Sequence, residues 1–324
     1  MYYKKIGTRD YMKPYVLVLG VSVYDIFGFT DCNYREKDSN PGRVCVSFGG
    51  VCRNIAENMA RVGVNTKFIT IVGDDEKGKC LLEDAKSKNM DVSDALIIEG
   101  GSTPTYMAIL DECGELRSAI VDMKITDQMS TEFIDSKAEI IKNAEYMVLD
   151  VDNPKILEYI LANFKGTTNF IVDSVSASKV LCVKDLIHDI HTFKPNRHEA
   201  EVLCGFEIQS KEDVKKAGRY FRSLGIENVF ISLDADGIYY NNGVEEGIVK
   251  ANRIPVVNVT GAGDSCVAGL VHGYMNEMSI TDTVKYSIAM SAITISHEQT
   301  IHPEMGYELV QQYLNTLEWC EDKF

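Results

Sequence analysis

The chain has no surplus of basic charge. Its 324 residues carry 33 Lys and Arg against 48 Asp and Glu, for a formal net charge of −15. Nucleic acid is therefore not an expected partner, because gripping a phosphate backbone relies on a positive field that releases its counterions. An anionic ligand would have to be met by locally placed donors or by a metal. Nine cysteines are present, yet no two form a Cys-x-x-Cys pair. Unclustered thiols of this kind fit a reducing cytoplasm and argue against a disulfide framework or a zinc ribbon. No apolar run approaches the length that spans a bilayer, and Met1 to Pro14 is polar and charged, without the apolar stretch of a secretory signal. A cytoplasmic protein with no membrane partner is expected. Internal repeats and low-complexity segments are absent as well.

What is present is ordinary for a soluble globular protein, with 45% hydrophobic and 25% charged residues. The length fits one large α/β unit with a small appendage. Residues 1–14 read as a loose tail and 15–324 as a single domain. Tyr15 to Gly20 is a continuous apolar run, as expected of a strand covered on both faces. Strand and helix signals then alternate: a strand at 67–72, a helix at 76–89, an apolar run at 95–98. From Ser130 the order is helix 130–142, strand 146–149, helix 154–163, strand 169–172, helix 182–189, strand 191–193, helices 197–204 and 210–224, strand 228–233. Such repeats imply a parallel sheet with right-handed crossovers. Val44 to Phe48 alternates like a half-exposed strand, and Tyr106–Leu110 with Ser118–Val121 flanks the hairpin turn Asp111-Glu-Cys-Gly-Glu115. These pieces do not fit the parallel sheet and are expected to form a small β lid, from segments near 26–48 and 101–123. Helices at 280–297 and 303–317 close the fold, with acidic Glu318 to Asp322 as a solvated helix end. Tyr239 and Tyr240 are expected to pack within a strand.

The stretch Asn258-Val-Thr-Gly-Ala-Gly-Asp-Ser265 lies between an extended apolar run and a segment where Val267, Leu270, Val271 and Tyr274 recur at helical spacing. It is not a P-loop, since no Gly-Lys-Ser/Thr follows. Nor is it a dinucleotide fingerprint, since Cys266 stands where the third glycine belongs. Small residues at Gly261, Ala262 and Gly263 would let an anion approach the bare amides of a first helical turn, with Asp264 facing it. A base beside an anion hole suits phosphoryl transfer. An ordinary tight turn capped by Asp264 fits these residues too. A carboxylate at a helix N-terminus is stabilised as the anion, so Asp264 is expected to be a weak base before reaction.

Other polar residues fall at expected strand ends, where ligands of parallel sheets sit. Asp150 and Asp173 read as helix caps. Gly49-Gly50 with Asn54, and Asp25 five residues beyond Gly20, could meet vicinal hydroxyls. Asn196 and Glu199, three apart, could order a hydrated magnesium ion or form a capping box. His188, His191 and His198 are expected at the surface or at helix ends and not as zinc ligands. Cys204 and Cys266 lie near helix starts without an evident activating base.

Taken together these segments carry a resemblance. Gly49-Gly-Val-Cys-Arg-Asn54-Ile-Ala-Glu-Asn-Met-Ala-Arg-Val-Gly63 resembles the first signature of the ribokinase-like (PfkB-type) carbohydrate kinases, and Asn258 to Asp264 their second. Gly20 to Asp25 resembles their sugar-binding strand end, and Asn196 to Glu199 their Asn-x-x-Glu magnesium motif. The order is right from about Tyr15 to Pro303. Asp38-Ser-Asn-Pro-Gly42, Arg53-Asn54-Ile-Ala, Asp173 to Ala177 and Ile190 to Glu201 resemble the branch that acts on a ribosyl C-nucleoside. The resemblance implies a three-layer α/β fold with a mostly parallel central sheet and a β lid. It implies a kinase that uses ATP and magnesium on a nucleoside 5′-hydroxyl. Asp264 would accept the proton, and Gly261, Ala262 and Gly263 would steady the transferred group. Asp25, Gly49, Gly50 and Asn54 would hold the ribose, with Ser39 and Asn40 reading the base. Lys194, Asn196, Ser232, Gly237 and Thr260 would meet the nucleotide, and Asn196 with Glu199 would hold magnesium through water. Lids of this family often pair between subunits, so a homodimer is implied.

Two positions depart from the pattern. Asn258 stands where the family usually has an aspartate that helps bind a monovalent cation, which leaves potassium activation open. Asp234 replaces a common glycine near the nucleotide phosphates and would repel them unless it points away. Another family member acting on ribose, a purine nucleoside or a keto-sugar remains an alternative, as does a catalytically silent ligand-binding regulator.

Overall fold

The computed structural model describes residues 13–188, 190–252 and 254–324. Almost all of the expected N-terminal tail lies outside the described residues. Nine strands form the central sheet: β1 (Val16–Leu19), β4 (Thr66–Ile69), β9 (Tyr146–Asp150), β10 (Asn169–Asp173), β11 (Thr192–Phe193), β12 (Asn228–Ser232), β13 (Ile238–Asn241), β14 (Glu246–Asn252) and β15 (Glu318–Lys323). Their order is β15-β14-β13-β12-β11-β10-β9-β1-β4. Strands β4 to β12 run parallel, and β13, β14 and β15 are added antiparallel. Because side chains alternate along a strand, β1 feeds both faces. Val16 and Val18 enter one core with Phe68, Val148 and Ile171, while Leu17 and Leu19 enter the other with Met147, Leu149 and Val172.

Helices cover both faces. α1 (Val51–Arg61), α2 (Glu76–Ser87), α9 (Ala262–Met275), α10 (Ile280–Ile295) and α11 (Tyr307–Thr316) pack on the first core. α3 (Thr131–Ser136), α4 (Ala138–Asn143), α5 (Pro154–Phe164), α6 (Ala177–Val180), α7 (Arg197–Cys204) and α8 (Lys211–Ser223) lie on the second. A separate sheet, ordered β3-β2-β7-β8, forms the lid from β2 (Val23–Thr30), β3 (Gly42–Gly49), β7 (Thr105–Leu110) and β8 (Leu116–Asp122). A two-stranded piece pairs β5 (Ile71–Gly73) in parallel with β6 (Leu96–Ile98).

Several expectations need correction. The strand expected over 67–72 breaks at Thr70, whose hydroxyl accepts the Ser22 amide at 2.9 Å. The helix expected over 130–142 is two short helices, divided at Lys137, which bonds Asp94 at 2.9 Å. The helix expected over 182–189 is not formed over 182–188, where a 3-10 turn at Leu181–Val183 runs into further turns, and residue 189 lies outside the described residues. Glu318 to Asp322 is a strand and not a helix end, because the open edge of β14 supplies main-chain partners along its length. His191 is half-buried and not fully at the surface. Its ring packs edge-on against Tyr146 and Tyr274, with Nδ1 2.8 Å from the Thr192 hydroxyl.

Candidate active site

The site is assembled where the carboxyl ends of the parallel strands meet the lid. Helix α9 begins at Gly261, whose φ of 82° is open to glycine and strained for other residues. A Cβ there would also strike the Thr300 carbonyl. No side chain caps the helix, and the Ala262 amide donates to the Val259 carbonyl at 3.3 Å, while exposed Gly263 leaves the turn open to the cleft. Buried Lys194, just beyond β11, brings its ammonium to 3.6 Å from where a Gly263 Cβ would be. A positive charge therefore stands beside the bare turn.

Asn54, on the second turn of α1, donates from Nδ2 to Asp264 Oδ2 at 2.8 Å. Helix α1 starts at Gly50 with φ 109°, pressed so closely on Val21 that a Cβ would collide with its carbonyl. Asp25 lies on lid strand β2, its carboxylate against Gly49. The fold thus gathers Asp25, Gly49, Gly50, Asn54 and Asp264 from three distant stretches of chain. Asn54 Oδ1 is buried without a partner, so one acceptor of that amide remains for a ligand.

A cavity of about 610 Å³ continues from Gly20, Val21 and Gly50 to Met123, Thr126, Asp127, Asp150, Asp152 and Asn153. Residues 123–129 and 150–157 were not singled out for binding by sequence reasoning. Asp150 and Asp173 read as caps, but neither begins a helix. Asn153 caps α5 by accepting the Ile156 amide, while Asp150 accepts the amide of Asp152. The signal lay in the spacing: a second acidic residue and then an amide stand between Asp150 and the helix.

Asn196 and Glu199 form a capping box on α7. Glu199 Oε2 accepts from the Asn196 amide at 2.8 Å and from the Ser174 hydroxyl at 2.6 Å. Ser232 pairs with this turn, donating its amide to the Pro195 carbonyl at 3.1 Å. Gly237 has φ 94°, Asp234 is exposed at φ 54°, and Thr260 is exposed in the loop before α9. Asn258 bonds the Glu298 carbonyl at 2.8 Å and accepts the Thr260 amide at 3.0 Å. In the lid loop, Asn40 has both ends of its amide engaged with Arg35, and Ser39 is exposed.

This arrangement can be compared with known proteins. The model of the pfkB family carbohydrate kinases matches residues 13–305. The chain belongs to that family. It is 35% identical over 296 residues to the pseudouridine kinase of Escherichia coli, covering 91% of this chain and 94% of that one. A crystal structure from Clostridium perfringens, described only as a sugar kinase, superposes with a TM-score of 0.94 at 60% identity, covering 96% of this chain and 99% of that one. Arabidopsis thaliana ribokinase, solved with ribose and ATP, shares the fold with a TM-score of 0.80 at 20% identity, over 94% and 99% of the two chains. The protein is thus a sugar or nucleoside kinase of the ribokinase-like fold, a phosphotransferase of a family that uses ATP.

Electrostatics overturn one expectation for this kinase. The Asp264 carboxyl holds its proton more tightly than an ordinary aspartate. Burial, and then the nearby Asp173 carboxylate, push its carboxyl up to about 7, against the opposing Asn54 bond and Lys194 charge. The open end of one helix does not outweigh removal from water combined with a like charge. Burial likewise pushes Asp25 up to about 6, with Arg53 pulling the other way, and Asp150 up to about 7. Lys194 is held above its ordinary value. Burial pulls it down, but Asp173 and further acidic neighbours outweigh that pull.

For magnesium, the donor set suits an ion that keeps its water. No group of three or more His, Cys, Asp or Glu among the described residues could cage a metal. Both bonds accepted by Glu199 fall on Oε2, which leaves Oε1 for a hydration shell. A monovalent cation at Asn258 fits poorly, since its side chain carries no charge and both ends are engaged, donating to the Glu298 carbonyl and accepting the Thr260 amide.

Proposed function

We propose that this kinase transfers the γ-phosphoryl group of ATP to the 5′-hydroxyl of pseudouridine, giving pseudouridine 5′-phosphate and ADP. The observation that carries the reading is the Asn54–Asp264 hydrogen bond, which joins the sugar signature to the catalytic signature in one cleft. Asp25, Gly49, Gly50 and Asn54 hold the ribose hydroxyls. Asp264 takes the 5′-hydroxyl proton as the new O–P bond forms and the bond to the β-phosphate oxygen breaks. Gly261, Ala262 and Gly263 donate to the transferred group, with Lys194 beside them. Lys194, Asn196, Ser232, Gly237 and Thr260 line the ATP side. Magnesium, held through water by Asn196 and Glu199, neutralises phosphate charge when bound.

Two facts favour pseudouridine over other acceptors. One is the 35% identity to the Escherichia coli enzyme. The other is the 610 Å³ cavity, whose lining includes Asp127 and Asp152, the latter with one oxygen taken by Lys179 at 2.7 Å. A C-linked uracil offers two ring N–H donors and uridine offers one, so acceptor carboxylates there would favour the former. Because Asn40 is engaged within its own loop, this cavity supports base reading better than Ser39 and Asn40 do. A homodimer through the lid is supported by Val44, Val46, Met107 and Ile120, which are exposed on the lid face opposite Asp25.

The test is ADP release with ATP, magnesium and a panel of pseudouridine, uridine, adenosine, inosine, ribose and fructose. Pseudouridine should give the highest kcat/KM. Preference for another acceptor removes the specific reading and leaves a sugar or nucleoside kinase. No turnover with any acceptor favours a silent binding role.

A further inference from the structure

The first signature contains a charged residue to which the transfer reaction assigns no task. Arg53 immediately precedes Asn54, yet its side chain is turned inward and the residue is 2% exposed. Burying a guanidinium is costly unless its donors are satisfied, so its partners indicate what it holds in place. Nη1 donates to the Phe48 carbonyl at 3.1 Å and pairs with Glu57 Oε2 at 3.0 Å. Nη2 pairs with Asp84 on α2, and Nε alone is buried without a partner. The guanidinium carbon lies 5.5 Å from the centre of the Phe48 ring.

Phe48 is the penultimate residue of lid strand β3, which leads through Gly49 and Gly50 into α1. The Phe48 carbonyl belongs to the peptide unit that reaches Gly49, and Gly49 is the residue on which the Asp25 carboxylate rests. One arginine therefore ties down the peptide beneath Asp25 while its neighbour in sequence, Asn54, bonds Asp264. Beyond it the chain of contacts continues: Glu57 also takes Arg61, at 2.7 Å, and Arg61 donates to the Pro303 carbonyl at 2.8 Å.

We infer that Arg53 is a positioning residue for the acceptor site, clamping the root of the lid so that Asp25 on β2 and Asn54 on α1 keep one spacing. It supplies charge as well as geometry. Across the lid sheet Asp25 is flanked by Ser47 on β3 and Tyr106 on β7. Arg53, from α1, opposes the effect of burial on the Asp25 carboxyl. Glu57 and Asp84 face the guanidinium itself. Lysine cannot replace this arrangement, because a single ammonium lacks the planar fork that serves a carbonyl and two carboxylates together.

The inference rests on the reading of Asp25 and Asn54 as the acceptor site, and its test separates the two. Carbon-13 NMR of aspartate-labelled protein, assigned with Asp25→Asn, follows the Asp25 carboxyl without any ligand in wild type, Arg53→Gln, Arg53→Lys and Arg61→Gln. KM for the acceptor and for ATP is measured at pH 8, where Asp25 is ionised, together with the melting temperature. Arg53→Gln should raise the Asp25 midpoint by at least about half a unit and the acceptor KM by about tenfold, leaving ATP KM within about twofold. Arg53→Lys should restore the midpoint but not the acceptor KM. Arg61→Gln, which breaks the same chain at its far end, should lower the melting temperature and move neither. An unmoved Asp25 midpoint in Arg53→Gln, or an acceptor KM in Arg53→Lys equal to wild type, overturns the inference, and the second outcome decides alone if Arg53→Gln does not fold. If wild type turns over no acceptor while the NMR shift appears, the acceptor reading fails and the clamp stands.

Discussion

Replacing Asp264 by Asn tests catalysis and electrostatics in one variant. The substitution keeps shape and can keep an oxygen toward Asn54 Nδ2, while removing the proton acceptor. General-base help is worth about 10²–10⁴-fold, so kcat should fall at least about a hundredfold. The effect on stability runs the other way. Asp264 ionises near 3.8 when unfolded and at about 7 when folded, so between these values the folded state binds its proton more tightly. Stability linked to this group is greatest below about pH 4, declines as pH rises toward 7, and stays reduced above it. At about 1.4 kcal/mol per unit the reduction reaches ~4.5 kcal/mol, and solvent at this half-buried residue trims it to about 2–4 kcal/mol. Asp173 and Asp150 lie close enough to raise Asp264, so removing its charge relieves them in the same direction.

Asp264→Asn should therefore be the more stable protein at pH 8 by about 2–4 kcal/mol and nearly equal to wild type at pH 4, as urea titrations at both values would show. Wild-type kcat/KM should rise with pH through about 6 to 7, as the acceptor-site carboxyls and Asp264 ionise in overlapping steps. Near-wild-type turnover in the variant refutes Asp264 as the base. Equal or lower stability at pH 8 refutes the argument that burial and Asp173 hold its proton.

Three further outcomes follow from particular contacts. Ile120→Asp on the exposed lid face should convert a dimer into a monomer by sedimentation, and a wild type that sediments as a monomer removes the lid interface. Because the Asn258 amide occupies the Glu298 carbonyl, replacing potassium by choline should change kcat less than about twofold, whereas Asn258→Asp should introduce potassium dependence. Asp234→Gly relieves a left-handed residue at φ 54° and should stabilise the protein by up to about 1 kcal/mol, with ATP KM unchanged or lower; lower stability would show that the Asp234 side chain has a structural role.

Legibility differed from one feature to the next for definite reasons. The turn at Gly261 to Gly263 was readable because its conformation demands small residues locally, and β1 because a strand buried on both faces is apolar throughout. Helix α8 keeps close to its expected bounds of 210–224 because Ser210 and Asp213 cap it within a single turn. Strand β15 was not, since Glu318 to Lys323 carries no apolar period and exists only because β14 leaves an edge open. Lys137 could not be seen as a break, because its partner Asp94 lies far along the chain. The ease of protonating Asp264 was misjudged for a similar reason, since the helix end is local while Asp173 and Asp150 arrive from other strands.

The sequence by itself determined the α/β alternation, the two glycine-bearing turns and the family, all of which rest on spacings within about fifteen residues. Tertiary structure alone decided that Asn54 reaches Asp264 across 210 positions, that Asp150 lines a cavity and caps nothing, and that Arg53 is buried under the lid. The physical reason is range. Backbone conformation and periodicity are set by neighbours along the chain, whereas burial, like-charge proximity and hydrogen bonds between elements depend on what the folded sheet brings alongside.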